Sequence, residues 1–203
     1  MTALAQPPAL DDTALDLLFH DARSVNAFSD AEVDPAEIDA AYELLRWAPT
    51  AMNISPLRLS VVPRGEQRER LASHMMPGNR DKTLAAPLTV VASADPAFHA
   101  HLGTLAPTRE GLAEQLETQP ERREQMARTN GLIQAGYLVL ALRSRGLVVG
   151  PMGGFDAEAL DADLHADSGW HSLLVINVGW AAAEGGTYPR APRLDASDAV
   201  VTL

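Results

Sequence analysis

Residues 132–142 read Leu-Ile-Gln-Ala-Gly-Tyr-Leu-Val-Leu-Ala-Leu, an almost continuous apolar segment that follows an amphipathic start near Glu121. A helix that is apolar around its whole circumference must be covered on all sides, so this pattern predicts the central core helix of the fold. Gly131 and Gly136 each cost a helix about 1 kcal/mol relative to alanine. Close approach of another helix or of a ligand would offset that cost. The exit segment Gly-Pro-Met-Gly-Gly-Phe, at 150–155, is the best candidate for a functional loop.

Composition narrows the class of protein. The chain of 203 residues is long enough for one sizeable core, and its 46% hydrophobic and 21% charged residues are typical of a globular protein. A net charge of -11 argues against a nucleic-acid partner and against binding to an anionic membrane surface. The absence of cysteine excludes disulfides, thiolate metal sites, thiol nucleophiles and iron–sulfur clusters.

The first residues carry few structural signals. Residues 1–12 contain a Pro pair and an Asp pair and are predicted to be a flexible tail, with a single domain from 13 to 203. The start has no basic and apolar signal-peptide pattern, and no segment approaches the roughly 20 apolar residues that a membrane helix needs. A cytoplasmic protein is expected.

The remaining pattern predicts an α+β domain with a mixed sheet. Apolar or alternating runs predict strands at 57–62, 88–92, 147–149 and 172–178, the last of them covered on both faces. The start of one helix is marked by Asp34 as its cap and Pro35 at its first position. Other helices are expected at 15–20, 64–74 and 156–164. Residues 95–120 show no clear period and could form a lid.

Polar clusters interrupt this pattern at four places: 23–26, 49–56, 79–83 and 150–155. Each also has a purely structural interpretation, respectively a solvated turn, a helix-ending loop, a charged surface and a plain strand-to-helix connection. None has the spacing of a phosphate loop, a dinucleotide-binding loop or a nucleophile elbow. The pair His99 and His101 lacks a third ligand at a convincing spacing, so no metal site is predicted.

Together, however, the clusters form a recognisable series. The order of five motifs resembles that of the flavin-dependent nitroreductase family. These motifs are Ala-Arg-Ser-Val-Asn-Ala-Phe (22–28), Pro-Thr-x-x-Asn-x-Ser-Pro (49–56), Asn-x-x-Lys (79–82), Gly-Pro-Met-Gly-Gly-Phe-Asp (150–156) and Pro-Arg-Leu (192–194). Within that family, the forms at 78–87 and 150–156 are most similar to malonic semialdehyde reductases of pyrimidine degradation. The resemblance implies a nitroreductase-like mixed sheet around a long central helix, in an intertwined homodimer with FMN at the interface.

The resemblance also implies a role for each matching residue. The phosphate and ribityl end of FMN would be held by Arg23, Ser24, Asn26 and Arg193, with Arg190 as a less secure helper. The pyrimidine edge of the ring would be contacted by Asn79 and Lys82, and the partner subunit would contribute Thr50, Ala51 and Asn53. The backbone N–H of Gly153 would meet the ring nitrogen that takes the hydride, in a wall completed by Pro151, Met152 and Gly154.

The implied activity is an FMN-dependent oxidoreductase that passes a hydride from NAD(P)H to a small acceptor. The acceptor could be a nitroaromatic, a quinone or malonic semialdehyde, which would be reduced to 3-hydroxypropionate. For the last of these, Arg58 or Arg109 could hold the carboxylate. No protein side chain is expected to react, because the cofactor carries the chemistry. The alternatives are a non-catalytic flavin carrier or sensor, and an interaction module in which the glycines only form turns.

Overall fold

The computed structural model describes residues 8–203, and a four-stranded sheet lies at its centre. Its strands are β1 (Leu57–Pro63), β2 (Leu88–Ala94), β3 (Val148–Met152) and β4 (His171–Gly179), in the order β1-β2-β4-β3. All four strands were predicted from the sequence. The largest difference is at β3, which continues three residues beyond the predicted end because an edge strand tolerates a proline.

All neighbouring strands of this sheet pair antiparallel. The α+β class is therefore confirmed, but the expected mixed sheet is corrected to an antiparallel one. In the described residues, parallel pairing is confined to an isolated bridge between Ser24 and Val149. The apolar run in β4 requires cover on both faces of the sheet, and helices provide that cover without any parallel neighbour.

Each face of the sheet carries its own core. On one face, α7 (Pro120–Ser144) and α2 (Ala36–Leu45) pack on side chains of the strands such as Val90 and Ile176. On the other face, α3 (Glu66–Ser73) and α8 (Ala157–Leu164) pack on side chains that include Val91 and Val175. Because successive strand residues point to opposite faces, the two cores share the same strands.

Helix α7 is the predicted central helix, with 25 residues. At Gly131 a Cβ would lie 2.8 Å from Leu173 Cδ1, so the expected close approach is present there. At Gly136 a Cβ would meet nothing within 4 Å. The same side of α7 leaves Leu132, Ile133 and Tyr137 more than 40% exposed. The helix is therefore not covered on all sides within one subunit.

Two shorter helices carry or adjoin the predicted polar clusters. Asp34 caps α2 as expected, because its Oδ1 accepts a hydrogen bond from Ala36 N at 2.9 Å. The sequence of residues 79–83 indicates a charged surface before a strand, but the segment lies within α4 (Pro77–Ala85). Pro77 stands at the first helical position, where its missing N–H costs nothing.

The segment between β2 and α7 is more regular than its sequence suggests. It contains a 3₁₀ turn (Phe98–His101), α5 (Leu102–Leu105) and α6 (Leu112–Glu117). These elements form a separate small core, with the fully buried Phe98 and Leu116 packed near Leu173 of β4.

The first and last of the described residues lie at the surface. Helix α1 (Asp12–Leu15) continues into a π-helical turn at Asp16–His20, which covers most of the predicted helix 15–20. Of the predicted tail 1–12, residues 1–7 lie outside the described part. The last helix is α9 (Ala196–Ala199). Among residues 8–203, no helix is both long enough and apolar enough to cross a membrane.

Candidate functional site

The outer edge of β3 brings the first and fourth polar clusters together. Val25 N donates to Val149 O at 3.1 Å, which places Ser24 and Arg23 beside the strand. Asn26 N donates in turn to Gly186 O at 2.9 Å. A strand at the edge of a sheet presents unpaired backbone groups on its outer side. The N-terminal segment satisfies these groups only near the beginning of β3.

Helix α4 is attached at the other end of β3. Asn79 Nδ2 donates to Gly154 O at 3.0 Å, and Met76 N donates to the same oxygen at 3.0 Å. A Cβ on Gly154 would lie 2.6 Å from Asn79 Nδ2, so a larger residue would have to push this amide aside. Lys82 follows Asn79 by three residues, which places both side chains on one side of the helix.

Two hydrogen-bond donors at this end of the site have no acceptor or ion-pair partner within residues 8–203. Gly153 is exposed, and its N–H meets no protein acceptor within the described residues. Lys82 is half-buried, yet none of the ion pairs formed by residues 8–203 includes it. A free backbone donor, a cation and an amide suit the polar edge of a planar ring such as a flavin.

A buried arginine fixes the far end of α4. Arg68 is 1% exposed and donates to Thr83 O and Ala86 O at 2.8 Å, and also to Val62 O. Burial, followed by repulsion from Arg64, lowers the pKa of Arg68 to about 10. The guanidinium stays charged at neutral pH, so it ties the helix that carries Asn79 and Lys82 to the end of β1.

The predicted phosphate-binding arginines are placed differently from one another. Arg23 donates to His20 O and Ala22 O, each at 3.1 Å. Arg190 donates to the same two carbonyl oxygens. Within residues 8–203, Arg193 instead donates only to its neighbours Ala191 O and Pro192 O, at 3.0 and 3.1 Å. Within one subunit, Arg190 therefore lies next to Arg23. The resemblance, in contrast, ranks Arg193 ahead of Arg190 as a phosphate ligand.

The spacing of these groups defines an elongated site. Val149, beside Ser24, and Gly153 are four strand residues apart, or about 13 Å at roughly 3.3 Å per residue. A cationic end at Arg23 and a polar end at Lys82 are therefore joined by the open edge that carries Pro151 and Met152. This arrangement suits a ligand with an anionic tail and a flat, polar head.

The second cluster lies elsewhere in the subunit. Thr50, Ala51 and Asn53 precede β1, which is the opposite edge strand of the sheet. Three strand spacings of about 4.8 Å separate β1 from β3, or about 14 Å in all. Among residues 8–203, the long-range side-chain hydrogen bonds of this cluster run to Asn130 and Gln134 of α7 and to Leu105, and none reaches the site at β3, where the other three clusters meet.

The turn formed by the second cluster has an unusual backbone. Met52, Asn53 and Ser55 have φ angles of 53°, 57° and 42°. For residues other than glycine, such left-handed conformations cost about 1–2 kcal/mol each and persist only when the surroundings hold them. No residue pattern in 50–55 indicates these left-handed conformations.

A groove of about 710 Å³ borders the same turn at Asn53. Its lining includes three aromatic side chains, those of Tyr42, Trp47 and Trp170. Arg58, a proposed carboxylate ligand, also lines it, but its guanidinium already pairs with Asp95 at 2.7 Å and donates to two carbonyls. The sequence does not reveal this groove, because the residues that line it come from distant parts of the chain.

The remaining candidates have separate positions. Arg109 is exposed beyond α5, in the connection to α6. His99 is buried and contacts Glu117 and Arg123, whereas His101 is exposed beside the groove, so the two histidines do not share an environment.

Comparison with known proteins identifies the class of protein. The sequence model of the nitroreductase family matches residues 21–180, and the chain therefore belongs to the nitroreductase family. A Leptothrix cholodnii protein provisionally named an NADH dehydrogenase/NAD(P)H nitroreductase is 46% identical over 195 residues, which are 96% of this chain and 98% of the relative. A similarly named Streptomyces coelicolor protein is 45% identical over 177 residues, or 87% of each chain.

Solved structures agree on the fold. A provisionally assigned nitroreductase of Exiguobacterium sibiricum, crystallised with FMN, has a TM-score of 0.80 to this chain at 15% identity, covering 98% of this chain and 100% of that one. The predicted nitroreductase-like fold is thus confirmed. The family uses FMN with NAD(P)H as hydride donor, which is the cofactor pair expected from the sequence.

Proposed function

We propose that the chain is an oxidoreductase that binds FMN along the outer edge of β3 and transfers a hydride from NAD(P)H to a small acceptor. The observation that carries this proposal is the Gly153 N–H, which has no acceptor among residues 8–203, on an edge that leads to Arg23 and to which Asn79 attaches the helix that carries Lys82. When bound, FMN supplies the group that accepts and returns the hydride. The chain itself needs no nucleophile, in agreement with its lack of cysteine.

At the ring end, the chain positions and polarises the cofactor. Gly153 would donate its N–H to the ring nitrogen that takes the hydride, and Asn79 would contact the pyrimidine edge. The positive charge of Lys82 would stabilise negative charge on the reduced ring and so favour hydride acceptance. Pro151 and Met152, together with Gly154, would form the wall against which the ring lies.

At the phosphate end, the cations bind and orient. Arg23 would contact the phosphate, because a guanidinium forms charge-assisted hydrogen bonds to phosphate oxygens. Ser24 and Asn26 would contact the ribityl chain or the phosphate as neutral hydrogen-bonding groups. Arg190 is adjacent to Arg23 and is our first choice for a second cation, with Arg193 contributing if the tail after residue 190 rearranges around the ligand.

We propose further that the site is completed in a homodimer of residues 13–203, each subunit forming one FMN-binding domain. The position of Thr50, Ala51 and Asn53 at the opposite edge of the sheet supports their assignment to the partner's site. The exposed apolar side of α7 supports an extensive interface there. Exposed apolar residues also continue along the C-terminal tail, where Val200 and Val201 are 68% and 78% exposed, which supports an intertwined arrangement.

For the acceptor, we propose a small molecule that reaches the ring from the side that Gly153 leaves open. Malonic semialdehyde is one candidate, supported by the forms Gly-Asn-x-x-Lys-Thr-Leu-x-Ala-Pro at 78–87 and Gly-Pro-Met-x-Gly-Phe-Asp at 150–156. Nitroaromatics and quinones are the others. Since Arg58 is already paired, Arg109 is the remaining candidate for the carboxylate. A cytoplasmic location stays a prediction from composition.

Purification followed by anaerobic titration tests the function. We expect a yellow protein, or one that takes up added FMN, whose flavin absorbance is bleached by NADH or NADPH. Steady-state rates with malonic semialdehyde, a nitroarene and a quinone would then rank the acceptors. A colourless protein that binds no added FMN would refute the proposal. Bound flavin that neither nicotinamide reduces would favour the alternative, a flavin carrier or sensor.

A further inference from the structure

Two side-chain amides of α7 hold the turn of residues 50–55. Asn130 Oδ1 accepts a hydrogen bond from Ala51 N at 2.7 Å, immediately before the left-handed residues Met52 and Asn53. Gln134 Oε1 accepts from Leu57 N at 3.0 Å, immediately after the turn. The two amides therefore fix the backbone on both sides of its strained part.

These two amides are themselves held in place. Asn130 and Gln134 are four residues apart, so they lie on one side of α7, and they are 5% and 1% exposed. Asn130 Nδ2 donates to Met126 O at 2.9 Å, which orients its oxygen toward the turn. Gln134 Nε2 lies 3.3 Å from Ser55 Oγ, so this amide also holds a left-handed residue directly.

The turn keeps its outward groups available. Its internal bonds, such as Ser55 N to Thr50 Oγ1 at 3.2 Å, use only part of its polar capacity. Asn53 donates its Nδ2 to Leu105 O at 2.8 Å, and its Oδ1 receives no donor within the described residues. Ala51 and Asn53 are both exposed. The turn therefore presents these exposed groups in a fixed arrangement.

We propose that Asn130 and Gln134 are positioning residues that hold residues 50–55 in the backbone conformation that contacts FMN bound at the partner subunit's β3. This inference rests on the proposed function, because only an FMN site shared between subunits gives the turn a ligand. The energetic reason is direct: left-handed residues other than glycine revert to ordinary conformations unless other contacts hold them.

Hydrogen exchange in the flavin-free protein tests the first half of the inference. In Asn130→Ala, the amides of Ala51, Asn53 and Ile54 should exchange about tenfold faster or more, because Ala51 N loses its acceptor and the turn that bonds the other two opens more often. The exposed Gln125 on the same helix provides the control: Gln125→Ala should leave that exchange unchanged. Equal exchange in Asn130→Ala and the natural sequence would overturn the inference.

FMN affinity and the visible circular dichroism of bound FMN test the second half. Asn130→Ala should raise the Kd for FMN about tenfold and change the dichroism. Asn130→Leu, which fills a similar volume but offers no acceptor to Ala51 N, should bind FMN as weakly as Asn130→Ala. An Asn130→Leu variant with the FMN affinity of the natural protein would contradict the assigned role of that oxygen.

A suppressor separates positioning from general stability. Glycine adopts a positive φ without steric cost, so adding Met52→Gly to Asn130→Ala should recover FMN affinity several-fold. If Asn130→Ala fails to fold, Gln134→Met against Gln125→Met gives the same comparison: only Gln134→Met removes the acceptor of Leu57 N and should lose affinity. If Asn130→Ala exchanges faster but binds FMN with an unchanged Kd, this inference is wrong and the proposed function stands. If the natural protein binds no FMN, the proposed function itself is wrong.

Discussion

The side-chain amide of Asn79 donates to the carbonyl oxygen of Gly154 at 3.0 Å, and this contact joins α4 to the end of β3. It fixes the helix that carries Lys82 relative to the free N–H of Gly153. The ring end of the proposed site therefore depends on a contact between residues 75 positions apart in the chain.

We expect Gly154→Ala to weaken FMN binding about tenfold, or about 1.4 kcal/mol. The added Cβ would lie 2.6 Å from Asn79 Nδ2 and would push that amide away from Gly154 O, which loosens the link between α4 and β3. Fluorescence titration with FMN measures the effect. Gly103→Ala is the control, since a Cβ there meets nothing within 4 Å. Equal affinities of the two variants would mean that this contact does not shape the site.

Arg190→Ala should weaken FMN more than riboflavin, which lacks the phosphate. The reason is that Arg190 shares its carbonyl acceptors with Arg23, at the proposed phosphate end. Arg193→Ala should show the same selectivity with a smaller change, because its contacts in one subunit are local. Both are measured as the ratio of the Kd values for FMN and riboflavin. A larger effect of Arg193→Ala would restore the order suggested by the sequence.

Removing the charge of Lys82 should make the bound flavin harder to reduce. In Lys82→Met, we expect the two-electron potential to fall by about 30 mV or more, equivalent to about 1.4 kcal/mol. Anaerobic titration against reference dyes measures the potential. Arg80→Met, an exposed position on the same helix, should leave it nearly unchanged. If both variants shift the potential equally, the effect comes from net charge and not from a specific contact.

Placing a charge on the exposed side of α7 should separate the subunits. Tyr137 is 43% exposed in one subunit, so Tyr137→Glu should leave that subunit folded while burying a charge in the proposed dimer. Light scattering should then show a monomer, with FMN lost as the shared site separates. Ala162→Glu, exposed on α8 across the sheet, is the control. A Tyr137→Glu dimer with normal FMN content would place the interface elsewhere.

Acid should weaken the contact between α3 and α8. The hydrogen bond from Arg70, and then that from His74, holds the pKa of Asp163 below its usual value. A carboxyl whose pKa is lowered by folding stabilises the protein fully above its unfolded-state pKa of about 3.9, and loses that contribution as the pH falls through the lower, folded-state value.

Asp163→Asn should therefore lower the melting temperature at neutral pH and reduce its further fall below about pH 4. Thermal unfolding followed by circular dichroism across that range measures both effects. Asp167→Asn changes an exposed carboxyl outside these contacts and should leave the pH dependence as in the natural protein. Parallel curves for Asp163→Asn and the natural protein would show that Asp163 makes no such contribution.

The sequence was informative where local periodicity determines structure. The apolar segment 132–142 predicted α7, and the runs at 57–62, 88–92 and 172–178 predicted β1, β2 and β4. It was less informative where distant contacts decide. Helix α4 was missed because charged residues dominate 79–82, although Pro77 is a usual helix start.

The same difference between local pattern and distant contacts applies to the candidate site. The sequence selected Gly153, Asn79 and Arg23 as candidates, and the structure places them along one strand edge. It could not reveal the strained turn at Met52, because Asn130, 79 residues beyond Ala51, holds that turn. The sequence likewise could not rank Arg190 above Arg193 as a phosphate ligand, since both precede a tail with little periodic pattern.

Pro151 has one more consequence, for the solubility of the chain. An uncovered strand edge is a template on which another polypeptide can add a strand and begin to aggregate. Pro151 stands on the edge strand β3 and has no N–H to offer such a strand. The edge that we assign to a small ligand is therefore a poor site for strand addition. It can remain open without promoting aggregation in a crowded cell.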